Sequence, residues 1–245
     1  MAFVFRSADA KKQTADLFVN VYTEGLVVDI TQPASGSIVT INQPVTISAS
    51  ASESAGLKLF AGETLLTETQ GTVISTSHSF AQSGQIWIVA EATSNNQTTR
   101  DSTLIFVREN TVTETKPAAY RKGINYISAT SAALVLWAPL KDNVFVIGDF
   151  NGWNLSSNYQ MKKDGDYFWV EIQNLEPGKE YAFQYLIDGV IKIADPYTEK
   201  ILDPWNDGYI STDVYPDLLS YPENKTTGIV SVLQTNRQPY NLQVT

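Results

Sequence analysis

Not one cysteine occurs in the 245 residues, which excludes a disulfide framework, a thiolate metal site and a thiol nucleophile. Histidine is nearly as scarce. The single one, His78, follows a serine on a strand-like run with no partner motif nearby, so it reads as an ordinary strand residue rather than a base or a ligand. Basic residues are in deficit, 17 Lys and Arg against 26 Asp and Glu, and the net charge of −9 argues against binding a phosphate backbone. Long apolar runs are missing too. ALVLWAPL at 133–140 falls far short of the roughly 20 residues that span a bilayer, so no membrane span is expected. The opening MAFVFRSADA has no basic stretch leading into an apolar core and does not read as a signal peptide. Finally, no segment carries a helical hydrophobic period.

What is present is alternation. Residues 3–22 hold two strand-like runs, AFVFR and DLFVNVY, joined by a polar stretch. A lone hairpin is marginal in water, so residues 1–22 are expected either to pack on the next domain or, as the preferred reading, to be the remnant of an upstream domain. From 23 to 109 short runs recur: LVVDI, SIVTI, PVTISASA, GLKLFAG, TLLTE, TVISTSHSF, QIWIVAEA and STLIFVR, with Gly, Pro, Ser and Asn between them. That spacing predicts an antiparallel immunoglobulin-like sandwich. ENTVTETKPAA is polar, β-branched and proline-bearing, which places a linker at 110–119. A second set follows: GINYI, ALVLWAP, NVFVIGDF, YFWVEIQNL, KEYAFQYLIDG and VIKIADP. In YFWVEIQ, Phe168, Val170 and Ile172 share one face, and Tyr167, Trp169, Glu171 and Gln173 the other. Asp164-Gly165 and Asp188-Gly189 are type I′ hairpin signals. The fold class is therefore all-β, two tandem antiparallel β-sandwiches.

The ordered set IGDFNGW, W-V-E on a strand, L-x-PG-x-x-Y-x-F-x-Y-x-I-DG and IADPY resembles carbohydrate-binding module family 48, the isoamylase N-terminal domain, over about residues 120–212. The resemblance implies an early-set β-sandwich of the kind that precedes the catalytic barrel in glycoside hydrolase family 13. The segment before it is similar, in pattern only, to bacterial immunoglobulin-like domains. Residues 213–245, with YPDLLSYPENKTTGIVSVLQT, resemble the lead-in to the barrel of amylase- and pullulanase-like enzymes.

The implied function is a non-catalytic N-terminal region of an α-glucan-degrading enzyme, bracing its own downstream catalytic domain and in contact with starch or maltodextrin. The alternative is a stand-alone glycan-binding or adhesion module. The resemblance also implies a secreted, periplasmic or cell-surface setting. No catalytic residue is assigned: a (β/α)₈ barrel takes about 250 residues, and no arginine here has an aspartate two positions on. No metal or cofactor is expected, because the Asp-Gly pairs are explained by turn chemistry without a calcium loop.

Sugar sites pair an aromatic ring with amides or carboxylates. By the resemblance, Trp153 is the ring, flanked by Asn151 and Asn154, and Gln184 stands where a basic residue is usual; the other reading of Trp153 is that it caps the sandwich or packs on the catalytic barrel. The second aromatic position holds Val190 and Ile191. Trp205 and Asp203 resemble residues of the connection to the barrel and are expected to make an interdomain contact. Trp169 is expected to pack, and Trp137 and Trp87, inside apolar strands, to lie in the core.

Overall fold

The computed structural model describes residues 2–9, 11–18 and 25–237. The chain forms two compact units, Met1–Val107 and Arg108–Thr245. Both are all-β. Among the described residues no helix is long and apolar enough to cross a membrane.

In the first unit β1 (Ala2–Phe3) and β2 (Leu17–Phe18) pair antiparallel, and the rest of the second expected strand lies outside the described residues. The main sheet contains β3 (Val28–Gln32), β4 (Ile38–Thr40), β5 (Pro44–Ala61), β6 (Thr64–Ser79), β7 (Gly84–Ser94) and β8 (Gln97–Arg108), in the order β3-β5-β7-β8-β4 with β6 also on β5. The eight runs expected here form six strands, because PVTISASA joins GLKLFAG and TLLTE joins TVISTSHSF. A register shift between Ser50 and Ala55, opposite Gly71, absorbs the break as a bulge instead of a turn. Alternate residues Ile47, Ala49, Leu57 and Leu59 of β5 then meet Ile88, Ala90, Ile105 and Val107 in one core.

Among the described residues the second unit has two sheets. One contains β9 (Gly123–Ser128), β10 (Ser131–Trp137), β12 (Lys162–Asp164) and β13 (Tyr167–Ile172), in the order β12-β13-β10-β9. The other contains β11 (Val144–Gly148), β14 (Glu180–Ile187), β15 (Ile191–Ile193), β16 (Ile201–Leu202) and β17 (Val230–Gln234), in the order β11-β14-β17-β16 with β15 also on β14. Leu134, Leu136, Phe168, Val170 and Ile172 from the first sheet share a core with Val144, Val146, Phe183, Tyr185 and Leu233 from the second. The Phe168, Val170 and Ile172 face of YFWVEIQ thus lies in the core, and Trp169 on the opposite face is buried as well.

Three placements differ from expectation. VSVLQ, read with the exit segment, is β17. It runs between β14 and β16 with Val230, Ser231, Val232 and Leu233 buried, because its apolar residues complete the sheet. The expected linker is held against this sandwich: Val112 and Glu114 exchange backbone hydrogen bonds with Lys163, so 112–114 runs as a parallel extra strand beside β12. The first hairpin loop is Gly165-Asp166, one residue later than expected, since Asp164 pairs with Tyr167 and Gly165 takes the left-handed φ of 60°. Asp188 and Gly189 are both left-handed, as an Asp-Gly turn requires.

Candidate functional site

The turn after β11 is built by its own polar groups. Asn151 Oδ1 accepts from Gly148 N (2.9 Å) and Trp153 N (3.2 Å), and its Nδ2 donates to Val146 O (2.9 Å). Asp149 accepts the Trp153 indole N–H (2.9 Å) on one oxygen and Ala182 N (2.8 Å) on the other. Gly148 is required by close approach, since a Cβ there would stand 2.5 Å from Ala182 O. The result is a Trp153 that is 9% exposed, its ring against the protein and its N–H engaged. Of the two readings of Trp153, the geometry fits the cap on the sandwich and leaves no open stacking ring.

The expectation for Gln184 is corrected. It is 1% exposed; its Nε2 donates to Thr227 O (2.9 Å) and Ile229 O (2.8 Å), and its Oε1 accepts from the Thr226 hydroxyl. The stretch leading into β17 covers it. Of the residues expected to touch sugar, only Asn154 lies exposed, its Nδ2 donating to Gly152 O (3.1 Å). At the second aromatic position Val190 and Ile191 are exposed but aliphatic.

The aspartate of IADPY is structural. Asp195 is buried, takes the Tyr185 hydroxyl (2.7 Å) and Tyr197 N (2.7 Å), and its own N–H donates to Ser231 of β17. Burial pushes its carboxyl above the ordinary value, against the lowering by Tyr197 N–H and the Tyr185 hydroxyl, and burial with the neighbouring carboxylate pushes the Tyr185 phenol well up.

Asp203 organises the next exposed feature. Its oxygens accept Trp205 N (2.9 Å) and Asn206 Nδ2 (2.7 Å), and its own N–H donates to Asp207 Oδ2 (2.8 Å). Those hydrogen bonds, the Asn206 side chain first, hold its carboxyl below the usual range. On this ordered turn and the stretch after it, Trp205, Tyr209 and Val214 stand open to solvent. A groove of about 550 Å³ lies beside Asn110, Glu114, Asn158, Lys162, Trp169 and Glu171. Two of its acidic groups are already partnered: Glu114 pairs with Lys162 (2.7 Å) and Glu171 accepts the Tyr120 hydroxyl (2.6 Å). Trp169 packs as expected, 4% exposed, with its indole N–H on Glu114 O (2.9 Å).

Trp137 and Trp87, expected in the core, are instead about half exposed, at 52% and 53%. Alternation explains Trp137: Leu134 and Leu136 point inward, so their neighbour points out. Parity with Leu136 was the available signal, and the apolar character of the run hid it. Lys122 Nζ lies 5.7 Å from the Trp137 ring centroid and 5.9 Å from that of Tyr167.

Residues 122–205 match the family model for carbohydrate-binding module 48 (isoamylase N-terminal domain). The chain is 38% identical over 69 residues to a 1,4-alpha-glucan branching enzyme GlgB of Clostridium perfringens, covering 26% of this chain and 10% of the relative. It is 42% identical over 52 residues to a GlgB of Corynebacterium efficiens, covering 21% of this chain and 7% of the relative. The chain thus spans about a tenth of the length of the curated relatives it matches. Among solved structures, GBS pullulanase SAP in complex with maltotetraose aligns with 72% of this chain and 25% of its own, at 15% identity and a TM-score of 0.29.

Proposed function

We propose that this chain is the non-catalytic N-terminal region of an α-glucan-processing enzyme of glycoside hydrolase family 13, amylase or pullulanase type, and that its second sandwich braces the catalytic domain. The family match over 122–205 supports the enzyme class. The observation that carries the bracing role is the set of exposed apolar side chains Trp205, Tyr209, Ile210 and Val214 on an otherwise polar segment, fixed at its start by the Asp203 and Asp207 carboxylates. An ordered aromatic patch of this kind is suited to burial against a partner surface. Saturation of Trp153 and Gln184 inside the sandwich favours bracing over sugar capture at that face.

The test has two steps. The coding sequence after Thr245 should encode alternating strands and helices with an Arg-x-Asp motif; its absence there overturns the reading. In the full-length enzyme, Trp205→Ala should then weaken the interdomain contact by about 2 kcal/mol, seen as earlier thermal unfolding of the catalytic domain. An unchanged transition would reject bracing through this stretch. A second reading, a glycan-binding module in its own right, is favoured by one observation, the half-exposed Trp137.

A further inference from the structure

We propose that the open end of the outer face of sheet β12-β13-β10-β9, centred on Trp137 with Tyr167 and Lys122, is an α-glucan-stacking site, distinct from the turn that holds Trp153. The ligand class rests on the reading just given; the location rests on geometry.

The register fixes the row. Trp137 of β10 pairs with Tyr167 of β13, and Tyr167 pairs with Asp164 of β12, so the three side chains stand side by side on one face. The next row inward is Gly123, Val135, Trp169 and Lys162. That row is closed. Val135 and Trp169 are buried, and the backbone carbonyl of Glu114 takes the Trp169 indole N–H. Asp164 is also occupied, accepting Lys116 N (3.1 Å). The first row alone keeps an open indole, 52% exposed.

Cross-strand neighbours stand roughly 5 Å apart at Cβ, which sets two rings under consecutive sugar units of an extended chain. Rings of this kind take the C–H face of a sugar, while an ammonium supplies three donors to its hydroxyls. Lys122 is placed for that role, reaching both rings from one position. Charge narrows the choice of ligand. Two lysines, Lys122 and Lys116, border the rings, yet the chain carries −9 overall, which opposes the approach of an acidic polymer and leaves a neutral one indifferent.

The experiment is an ¹H–¹⁵N NMR titration of the whole chain with maltoheptaose, its five indole N–H signals assigned by single Trp→Phe replacements. One short platform should bind at about 1 mM. The Trp137 indole signal should move and saturate. Trp137→Ala and Tyr167→Ala should each weaken binding about tenfold or more, and Lys122→Ala about threefold, with the remaining spectrum intact. The shift is read on the wild-type chain, and if one Phe variant misfolds its signal is assigned by elimination from the other four. Three outcomes overturn the proposal: no shift at saturating sugar, movement of another indole with Trp137 still, or unchanged affinity in Trp137→Ala. A poly-glutamate peptide that moves the Trp137 signal where maltoheptaose does not would also overturn it, in favour of an acidic partner. None of these results bears on the sequence after Thr245, so bracing stands or falls separately.

Discussion

Trp153 and Trp137 belong to one sandwich and meet solvent in opposite ways. Trp153 closes a turn in which the Asp149 carboxylate and the Asn151 amide have protein partners, and Gln184, on the same sheet as that turn, is covered by 226–229. Trp137 ends a strand whose neighbours on the same face have been covered by 112–121, and it stands exposed in a row where Tyr167 and Asp164 are half-buried. The motif-bearing side of the molecule is therefore the structurally committed one. The side without a motif holds the free chemistry. A sequence signature marks what must be kept for the fold to form, and an internally satisfied polar turn leaves a ligand nothing to bond.

The sharpest way to break this comparison is to truncate both rings. Trp153→Ala should lower unfolding free energy by about 4 kcal/mol, the cost of emptying a packed indole site, whereas Trp137→Ala should change it by about 0.5 kcal/mol. Urea denaturation of the two variants checks this, and equal losses would erase the distinction. Next in size is Gln184→Ala. It leaves the carbonyls of Thr227 and Ile229 and the Thr226 hydroxyl without partners and should cost about 3 kcal/mol. Amide exchange should quicken first in 226–234. Gly148→Ala forces a methyl against Ala182 O and Phe183 and should cost about 2 kcal/mol.

The open side predicts an opposite sign. Leu140, 97% exposed, sits at a left-handed φ of 61° that a branched side chain adopts only under strain. Leu140→Asn should stabilise by about 1 kcal/mol, measurable as a higher urea midpoint. The smallest effect concerns pH. Burial raises the Asp188 carboxyl, but the N–H groups of Asn143 and Asp142 and the Lys141 ammonium outweigh it, so its folded value lies below the unfolded one. Its contribution is present above the unfolded carboxylate value and is lost as pH falls through the folded one. Near the surface this is about 0.5 kcal/mol. The urea midpoint of Asp188→Asn should fall less between neutral pH and pH about 3 than that of the parent chain.

Much of the fold was legible because alternation is a direct image of burial. Phe168, Val170 and Ile172 share one face by parity alone, and that face lies in the core. β17 was harder. VSVLQ has the pattern of a buried strand, but it stands far along the chain from β14, and no local rule says that the two pair. The candidate site was least legible for a related reason. Whether Gln184 faces solvent depends on 226–229 lying over it, and whether Trp169 does depends on Glu114, contacts made more than forty residues away in sequence. Trp137 is the instructive case. Its apolar neighbours suggested burial, while the two-residue period that had been used for YFWVEIQ pointed outward.

β17 sets a condition on synthesis. The family match ends at Trp205, yet residues 230–234 fill the gap between β14 and β16 and bring the cover for Gln184 with them. A polypeptide emerging from the ribosome cannot close this sandwich when the recognisable module has been made. It waits with the β17-facing edge of β14 unpaired along Glu180–Phe183 until β17 arrives, a template for pairing with any other chain in reach. A gene fragment ended at the family boundary would make that waiting state permanent.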